Sequence, residues 1–276
     1  MRYMNKEDFF IGCFSKSPYI GDDAAVMDGM CVSQDAFFEN VHFRREWMSL
    51  RQIAAKAMLV NISDAIVMNG RPEYALLSVA IPKEFTRKEL KELALGFQET
   101  ADAYGITIVG GDTIANIKLD ISVTIISRCE KPVLRSGMKE GDLLAYTGTL
   151  GESRRDLLRL LRGGSVASDS RFVRPVLKDR FFYRAAPHIR CAMDISDGLF
   201  HDLEKLHRAN ALGFRFFEPI PRRVGCSGEE FEILFAFDPS NEARIRAVAA
   251  RTRTPVTIFA KAVRGAYRNP CRANHF

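Results

Sequence analysis

The sequence of 276 residues has few of the side chains from which structural zinc sites and disulfide frameworks are built. It contains six cysteines, five histidines and one tryptophan. The cysteines are far apart and form no Cys-x-x-Cys pair, so the spacing of a zinc site is absent and no disulfide framework is indicated. We therefore expect the cysteines to be reduced and mostly to fill space in the core.

Long apolar runs are also missing, and no stretch is long enough to cross a membrane. The opening segment carries Glu7 and Asp8 where a secretory signal would be apolar. We therefore expect a cytoplasmic protein with no membrane partner. Since 47% of the residues are hydrophobic, the chain can bury the core of one large domain or of two ordinary ones.

The formal net charge of +6, with an isoelectric point near 9.0, raises the question of a nucleic-acid partner. Residues 128–190 contain 14 lysines and arginines against seven aspartates and glutamates, and this region accounts for the whole excess. These arginines are not interleaved with the aromatic residues on which single-strand binders stack bases. We expect no nucleic-acid partner, and a basic nucleic-acid-binding protein stays open as the alternative from another class.

The apolar periods predict strands and helices that alternate in two successive halves. The first half has predicted strands at 30–34, 74–82, 106–111 and 119–128 and predicted helices at 50–68 and 87–105. The second half has predicted strands at 143–148, 190–195, 231–237 and 255–263 and predicted helices at 153–163, 197–210 and 240–252. Pro132, Gly137 and Gly141 interrupt the pattern between them. The sequence thus predicts an α/β protein of two domains, residues 1–135 and 136–276.

Aspartates border or interrupt apolar runs at five places along the chain. They are Asp22, Asp23, Asp35, Asp64, Asp112, Asp194 and Asp197. Taken singly, each fits a turn or a helix cap, and Asp194 and Asp197 in "MDISDGL" fit a cap well. Asp64, however, interrupts an apolar helix, where an ionised carboxylate is costly unless a cation neutralises it. No arginines stand beside these aspartates in the sequence, so the set favours a hard cation, Mg²⁺ first.

Several Mg²⁺ ions in one site are typical of a polyphosphate substrate. The backbone N–H groups of Gly110 and Gly111 could contact phosphate oxygens, since glycine lets the main chain come close. Yet the chain has no G-x-x-x-x-G-K-[ST] loop, no G-x-G-x-x-G and no H-R-D or D-F-G set. A less common nucleotide fold is therefore required.

The motifs together resemble the thiamine-monophosphate kinase family, a branch of the superfamily of aminoimidazole ribonucleotide synthetase (PurM), selenophosphate synthetase and HypE. The matching segments include "IGDDAAV", "KAMLVNISDAIVMNGRPEYALLSVAIP", "YGITIVGGDT", "RSGMKEGD", "MDISDGL" and "GEEFEILF". They occur in the family's order and approximate spacing over nearly the whole chain. The resemblance implies a two-domain PurM-like fold, with mixed sheets flanked by helices, and a homodimer formed through the N-terminal halves.

The resemblance also implies ATP-dependent phosphorylation of thiamine monophosphate to thiamine diphosphate, with several Mg²⁺ ions. It leaves open whether K⁺ is a further cofactor. The positions that resemble metal ligands are Asp23, Ser33, Asp35, Asp64, Asp112, Asp194 and Asp197. The positions that resemble ATP contacts are Gly111, Asp112, Arg135 and Ser196, and those that resemble thiamine phosphate contacts are His42 and Glu229. A phosphate monoester is already anionic near neutral pH, its second pKa being about 6, so no general base is predicted.

The chain departs from the family pattern at several places. Ser33-Gln34-Asp35 replaces the usual Thr-Thr-Asp, and residues 227–231, "SGEEF", replace Gly-Gly-Glu-Asp-Tyr. Ala94 stands where some members have an aromatic residue, and the final "ANHF" lacks the Trp or Tyr often found before His-Phe. Another ATP-dependent member of the superfamily is therefore the nearest alternative function, and a folded but inactive descendant is a further one.

Overall fold

The computed structural model describes residues 6–14 and 16–271. Its helices are α1 (Lys6–Gly12), α2 (Leu50–Val67), α3 (Arg87–Tyr104), α4 (Glu152–Leu161), α5 (Asp179–Ala185), α6 (Leu199–Asn210), α7 (Arg222–Gly225) and α8 (Glu242–Thr252). Its strands are β1 (Ala25–Met27), β2 (Met30–Phe38), β3 (Arg71–Pro82), β4 (Thr107–Asn116), β5 (Asp120–Arg128), β6 (Leu143–Thr147), β7 (Cys191–Asp194), β8 (Leu212–Phe216), β9 (Ile233–Phe237) and β10 (Val256–Arg264). Among the described helices, none is both long and apolar enough to cross a membrane.

The strands form two five-stranded sheets, each drawn from one half of the chain. The first has the order β1-β2-β5-β3-β4, in which β3 and β4 are parallel and the other neighbours antiparallel. The second has the order β7-β9-β6-β10-β8, and its neighbours are all antiparallel. The predicted α/β class with sheets flanked by helices is confirmed, although only the first sheet mixes strand directions.

Helix α2 lies at the centre of the molecule. Ser49 caps it, since its side chain accepts a hydrogen bond from the backbone of Gln52 while the Gln52 side chain accepts one from the backbone of Ser49. The helix is buried around nearly its whole circumference and contacts β2, β5, α3 and, from the second half, β7. One cluster of buried apolar side chains therefore includes residues of both halves, such as Ile53 and Phe181. The division into two domains at residue 135 stays a prediction.

Every helix and strand predicted from the apolar periods is present, with ends shifted by a few residues. The main difference is β4, which runs to Asn116, so that Asp112 lies inside a strand and not in a loop after one. The elements that the periods did not predict are α1, β1, α5, α7 and β8, each of seven residues or fewer. Segments of that length are too short to show a clear apolar period.

The prediction that the cysteines are all reduced is wrong for one pair. Cys226 and Cys271 form a disulfide, with Cα atoms 5.8 Å apart and a sequence separation of 45. Cys31, Cys129 and Cys191 are free and buried, as expected for residues that fill the core, while Cys13 is free and exposed. The pairing follows from the fold, which brings the end of α7 against the segment that follows β10, and no local spacing announces it.

Candidate active site

A cleft of about 680 Å³ lies beside α2 and receives residues from both halves of the chain. Its size is that of a typical small-molecule site. Its lining includes Asp22, Asp23, Asp35, Phe37, His42, Val60, Asp64, Arg135, Phe172, Ser196, Asp197, Lys205, Cys226, Glu229 and Phe231. Most of the residues predicted as ligands or contacts thus converge on one cavity.

Three carboxylates meet beside this cleft, and two of them line it. Asp23 lies in the loop before β1, Asp64 in α2 and Asp194 at the end of β7, and one oxygen of each lies within 4.8 Å of the others. We call these three residues the carboxylate cluster. The hydroxyl of Ser63 donates a hydrogen bond of 2.9 Å to Asp194 Oδ2, which fixes the strand end against the helix.

The electrostatics of the carboxylate cluster are unfavourable without a cation. Removal from water, followed by repulsion from neighbouring carboxylates, raises the pKa of Asp64 and of Asp194 well above the usual range. The same two causes raise the pKa of Asp35, which contacts Asp64, to about 6. In addition, Asp23 Oδ2 is buried without a hydrogen-bond partner. Carboxylate oxygens that converge and lack hydrogen-bond donors are the ligand set that a divalent cation such as Mg²⁺ prefers.

Two cations lie beside these carboxylates, although no arginine neighbours the aspartates in the sequence. The Arg135 guanidinium lies 2.6 Å from Asp23 Oδ1, and the Arg135 backbone N–H donates to Asp22 Oδ1 at 2.6 Å. Lys205 Nζ lies 2.7 Å from Asp197 Oδ2 and 3.0 Å from Asp202 Oδ1. These two cations face seven carboxyl groups, so the site stays strongly acidic.

The "VNISD" segment of α2 also positions the neighbouring strand. Asn61 Oδ1 accepts a hydrogen bond of 2.8 Å from the backbone N–H of Asp35, and the Asn61 carbonyl accepts one of 3.3 Å from Ser33 Oγ. Ser33 is buried and its hydroxyl turns toward α2, outside the cleft lining. Sequence reasoning missed the roles of Asn61 and Ser63, although both lie within three residues of Asp64.

The segment "MDISDGL" is not a side-chain helix cap. Asp194 ends β7 inside the carboxylate cluster, and Ser196 and Asp197 follow it in the turn that lines the cleft. The residue before α6 is Gly198, with φ of +106°, and the helix start has no side-chain capping hydrogen bond. A side chain at Gly198 would also approach the Ser227 carbonyl to 3.0 Å. The glycine therefore serves the close packing of two loops at the cleft.

Gly111 and Asp112 do not reach the cleft within one chain. The strand register places Asp112 of β4 level with Ala36 of β2, the residue that follows Asp35. Across the sheet, β4 and β2 are three strand spacings apart. Because neighbouring strands lie about 4.8 Å apart, that separation is about 14 Å. A Cβ at Gly111 would lie 1.7 Å from the Leu77 carbonyl oxygen, so glycine is required there by strand pairing.

Glu229 and His42 both lie on the cleft lining. Glu229 has φ of +55°, and its backbone N–H donates to the Ser196 carbonyl at 2.7 Å. Its carboxylate Oε2 accepts a hydrogen bond of 2.8 Å from Lys56. His42 stacks on Phe37 with ring centroids 5.7 Å apart, and its Nδ1 accepts a hydrogen bond from the Phe38 backbone.

Among the departures from the family pattern, the altered loop at residues 227–231 has a visible structural role. In the acidic loop, residues 227–231, Ser227 donates to the Glu230 carboxylate, which also accepts a hydrogen bond of 2.7 Å from the Gly151 backbone. Burial raises the pKa of Glu230 to about 7. Ala94 is an exposed residue of α3. The final "ANHF" lies outside the described residues.

Comparisons with known proteins agree with this arrangement. Residues 21–129 match the family model "AIR synthase related protein, N-terminal domain". A thiamine-monophosphate kinase of Rhodopirellula baltica is 31% identical over 275 residues, which cover 88% of this chain and 83% of that protein. One of Bacillus subtilis is 35% identical over 218 residues, covering 72% of this chain and 66% of that protein. The chain belongs to the thiamine-monophosphate kinase family.

A solved structure gives the same fold. AaThiL complexed with AMPPCP and TMP superposes with a TM-score of 0.84 at 24% sequence identity, covering 95% of this chain and 92% of that one. At this level of identity the likeness concerns the fold. It confirms the PurM-like architecture that the motifs imply.

Proposed function

We propose that this chain transfers the γ-phosphoryl group of ATP to the phosphate of thiamine monophosphate, giving thiamine diphosphate. The observation that carries the proposal is the carboxylate cluster in a cleft between the two halves, in a chain whose curated relatives are named for this reaction. The cleft lining also includes Glu229 and the rings of Phe37 and Phe172, a combination that suits a cationic ring such as thiazolium.

Asp23, Asp64 and Asp194, with Asp35 beside them, would hold Mg²⁺. The bound ions would neutralise the charge of the polyphosphate and let the anionic acceptor approach. Arg135 is held at the edge of the carboxylate cluster by Asp22 and Asp23, where its guanidinium suits an anionic phosphate oxygen.

The residues of the cleft need only position the two substrates. A phosphate monoester with a second pKa of about 6 is already a competent nucleophile at neutral pH. His42 therefore contacts the substrate and removes no proton, in keeping with an Nδ1 that already accepts a backbone hydrogen bond. Phosphoryl transfer then depends on alignment and charge cancellation.

The active form that we propose is a homodimer, in which β4 of a second copy supplies Gly111 and Asp112 to the cleft. Asp112 is exposed and lies about 14 Å from Asp35 across the sheet of its own chain. The same edge exposes apolar side chains, with Val109 52% and Ile114 58% accessible, beside Leu76 on β3. Exposed apolar residues on an edge strand suit burial against a second copy.

The test is a coupled assay of the purified chain with ATP, Mg²⁺ and thiamine monophosphate, with and without K⁺. We expect thiamine diphosphate to form and Asp64→Asn to lower turnover about a hundredfold or more, since metal stabilisation contributes several kcal/mol. Asp169→Asn, at an exposed site, is the matched control. ATP consumption at the same rate with and without thiamine monophosphate would instead favour the reaction of another superfamily member. The cytoplasm remains the predicted compartment.

A further inference from the structure

The side chain of Lys56 carries a fully buried charge beside the cleft. It projects from α2 and is 0% exposed. A lysine in such a position is costly unless an anion and polarisable groups surround the ammonium. Neither the resemblance nor the sequence pattern gave Lys56 a role in the reaction.

Three groups surround the Lys56 ammonium. Nζ donates a hydrogen bond of 2.8 Å to Glu229 Oε2. It also lies 3.9 Å from the ring centroid of Phe172 and 5.6 Å from that of Phe37. Both rings line the cleft, so the ammonium is screened from it, while the Glu229 side chain is 27% exposed. The substrate therefore meets the carboxylate and not the lysine.

The backbone of Glu229 is held independently of Lys56. Its N–H donates to the Ser196 carbonyl at 2.7 Å, and its carbonyl accepts a hydrogen bond of 2.7 Å from Ser153 Oγ. Two residues further on, the N–H of Phe231 donates to the Ile195 carbonyl at 2.9 Å. The acidic loop thus keeps its path without the lysine, whereas the direction of the Glu229 carboxylate depends on it.

The position of Lys56 along α2 indicates which substrate the pair serves. Lys56, Val60 and Asp64 follow one another at four-residue intervals, so they share one face of the helix. At 1.5 Å per residue, Lys56 lies about 12 Å along the axis from Asp64. The Lys56–Glu229 pair is therefore at the end of the cleft away from the carboxylate cluster, where the organic part of a phosphate acceptor would lie.

We propose that Lys56 is a positioning residue for the acceptor: it fixes the Glu229 carboxylate in the direction from which that carboxylate contacts the cationic ring of thiamine monophosphate. The inference rests on the proposed function and adds the residue that sets acceptor affinity. Lys56 touches neither substrate, so its loss acts on acceptor binding and leaves ATP binding and phosphoryl transfer intact.

The experiment compares steady-state kinetics of the wild type with Lys56→Met, which keeps the length of the side chain and removes its charge. We expect the KM for thiamine monophosphate to rise roughly 10- to 100-fold, as for the loss of one charged hydrogen bond, with kcat and the KM for ATP unchanged. Lys88→Met, at an exposed lysine of α3, is the matched control and should leave every constant unchanged. Equal losses in kcat and in both KM values would indicate a purely structural lysine and overturn the inference.

A double variant keeps the test decisive if Lys56→Met folds poorly. Lys56→Met/Glu229→Gln removes both charges, and its KM for thiamine monophosphate should equal that of Glu229→Gln alone. A further rise in the double variant would overturn the inference. If the wild type turns over thiamine monophosphate but Lys56→Met keeps its KM, the inference alone fails. A wild type that neither binds nor phosphorylates thiamine monophosphate overturns the proposed function together with it.

Discussion

Ser63 and Asp194 join the two halves of the chain through one buried hydrogen bond. The hydroxyl on α2 lies 2.9 Å from the carboxylate at the end of β7, although 131 residues separate them in sequence. The bond holds one carboxylate of the carboxylate cluster against the helix that supplies another. The geometry of the candidate metal site is therefore coupled to the packing of the two sheets.

Replacing Ser63 with alanine should disturb the geometry of the carboxylate cluster and weaken the packing between the two halves of the chain. The Asp194 carboxyl group would lose its donor, and leaving a buried acceptor unsatisfied costs about 1–3 kcal/mol of unfolding free energy. Chemical denaturation of the metal-free protein checks the prediction, with the exposed Ser165→Ala as control. Equal midpoints for the two variants would show that the bond contributes nothing.

The metal-free protein should become more stable when Asp64 is replaced with asparagine. The substitution removes one of several buried carboxylates that repel each other and keeps the side-chain volume. We expect a higher Tm than wild type in the presence of a chelator, and a much smaller upward shift when Mg²⁺ is added. A wild-type Tm that does not respond to Mg²⁺ would contradict a metal site at the carboxylate cluster.

Mixing two inactive variants should restore activity if Asp112 acts on the cleft of a second copy. A dimer of Asp112→Asn with Asp64→Asn has one intact cleft, because each chain provides what the other lacks. After denaturation and refolding of an equal mixture, half of the dimers are mixed, so roughly a quarter of wild-type turnover should return. No recovery in a mixture that size-exclusion chromatography shows to be dimeric would place Asp112 in its own chain's site.

Glu230 should make the protein less stable as the pH rises. Its folded pKa of about 7 exceeds the ordinary value of 4.5, because burial disfavours the charged form. The folded state thus retains a proton that the unfolded state releases, and stability present below pH 4.5 is lost as the pH rises through 7. Relative to wild type, Glu230→Gln should gain unfolding free energy between pH 5 and pH 8, by roughly 3 kcal/mol at most.

Thermal unfolding of both proteins across this pH range measures the difference. The comparison with wild type cancels the other acidic groups that titrate in the same interval, such as Asp35 and Asp202. Glu218→Gln, at an exposed site, should follow the wild type throughout. A Glu230→Gln profile parallel to wild type would mean that Glu230 is ionised in the folded protein.

Reduction of the Cys226–Cys271 disulfide should destabilise the protein. The bond closes a loop of 45 residues, for which loop-closure entropy gives about 4 kcal/mol as an upper value. A dithiol reductant should therefore lower the Tm of the wild type and leave that of Cys271→Ser unchanged. Cys13→Ser, at a free exposed cysteine, should respond as the wild type does.

The sequence by itself determined the longer helices and strands and the acidic character of the candidate site. Helices α2 and α3 follow from apolar periods with capping residues before them, because hydrogen bonds within a helix and its buried face are local properties. The acidic character of the site was visible in the same way, since aspartates that interrupt apolar runs, as Asp64 does, require neutralisation wherever they end up.

Only the tertiary structure decided which of these residues meet. Asp23, Asp64 and Asp194 converge, while strands β3 and β5 separate Asp112 on β4 from Asp35 on β2, and this depends on strand order. Arg135 and Lys56 reach their carboxylates, and Cys226 its partner, from positions distant in sequence. Such pairings are set by sheet register and by the packing of helices on sheets, and neither can be read from the spacing of residues along a chain.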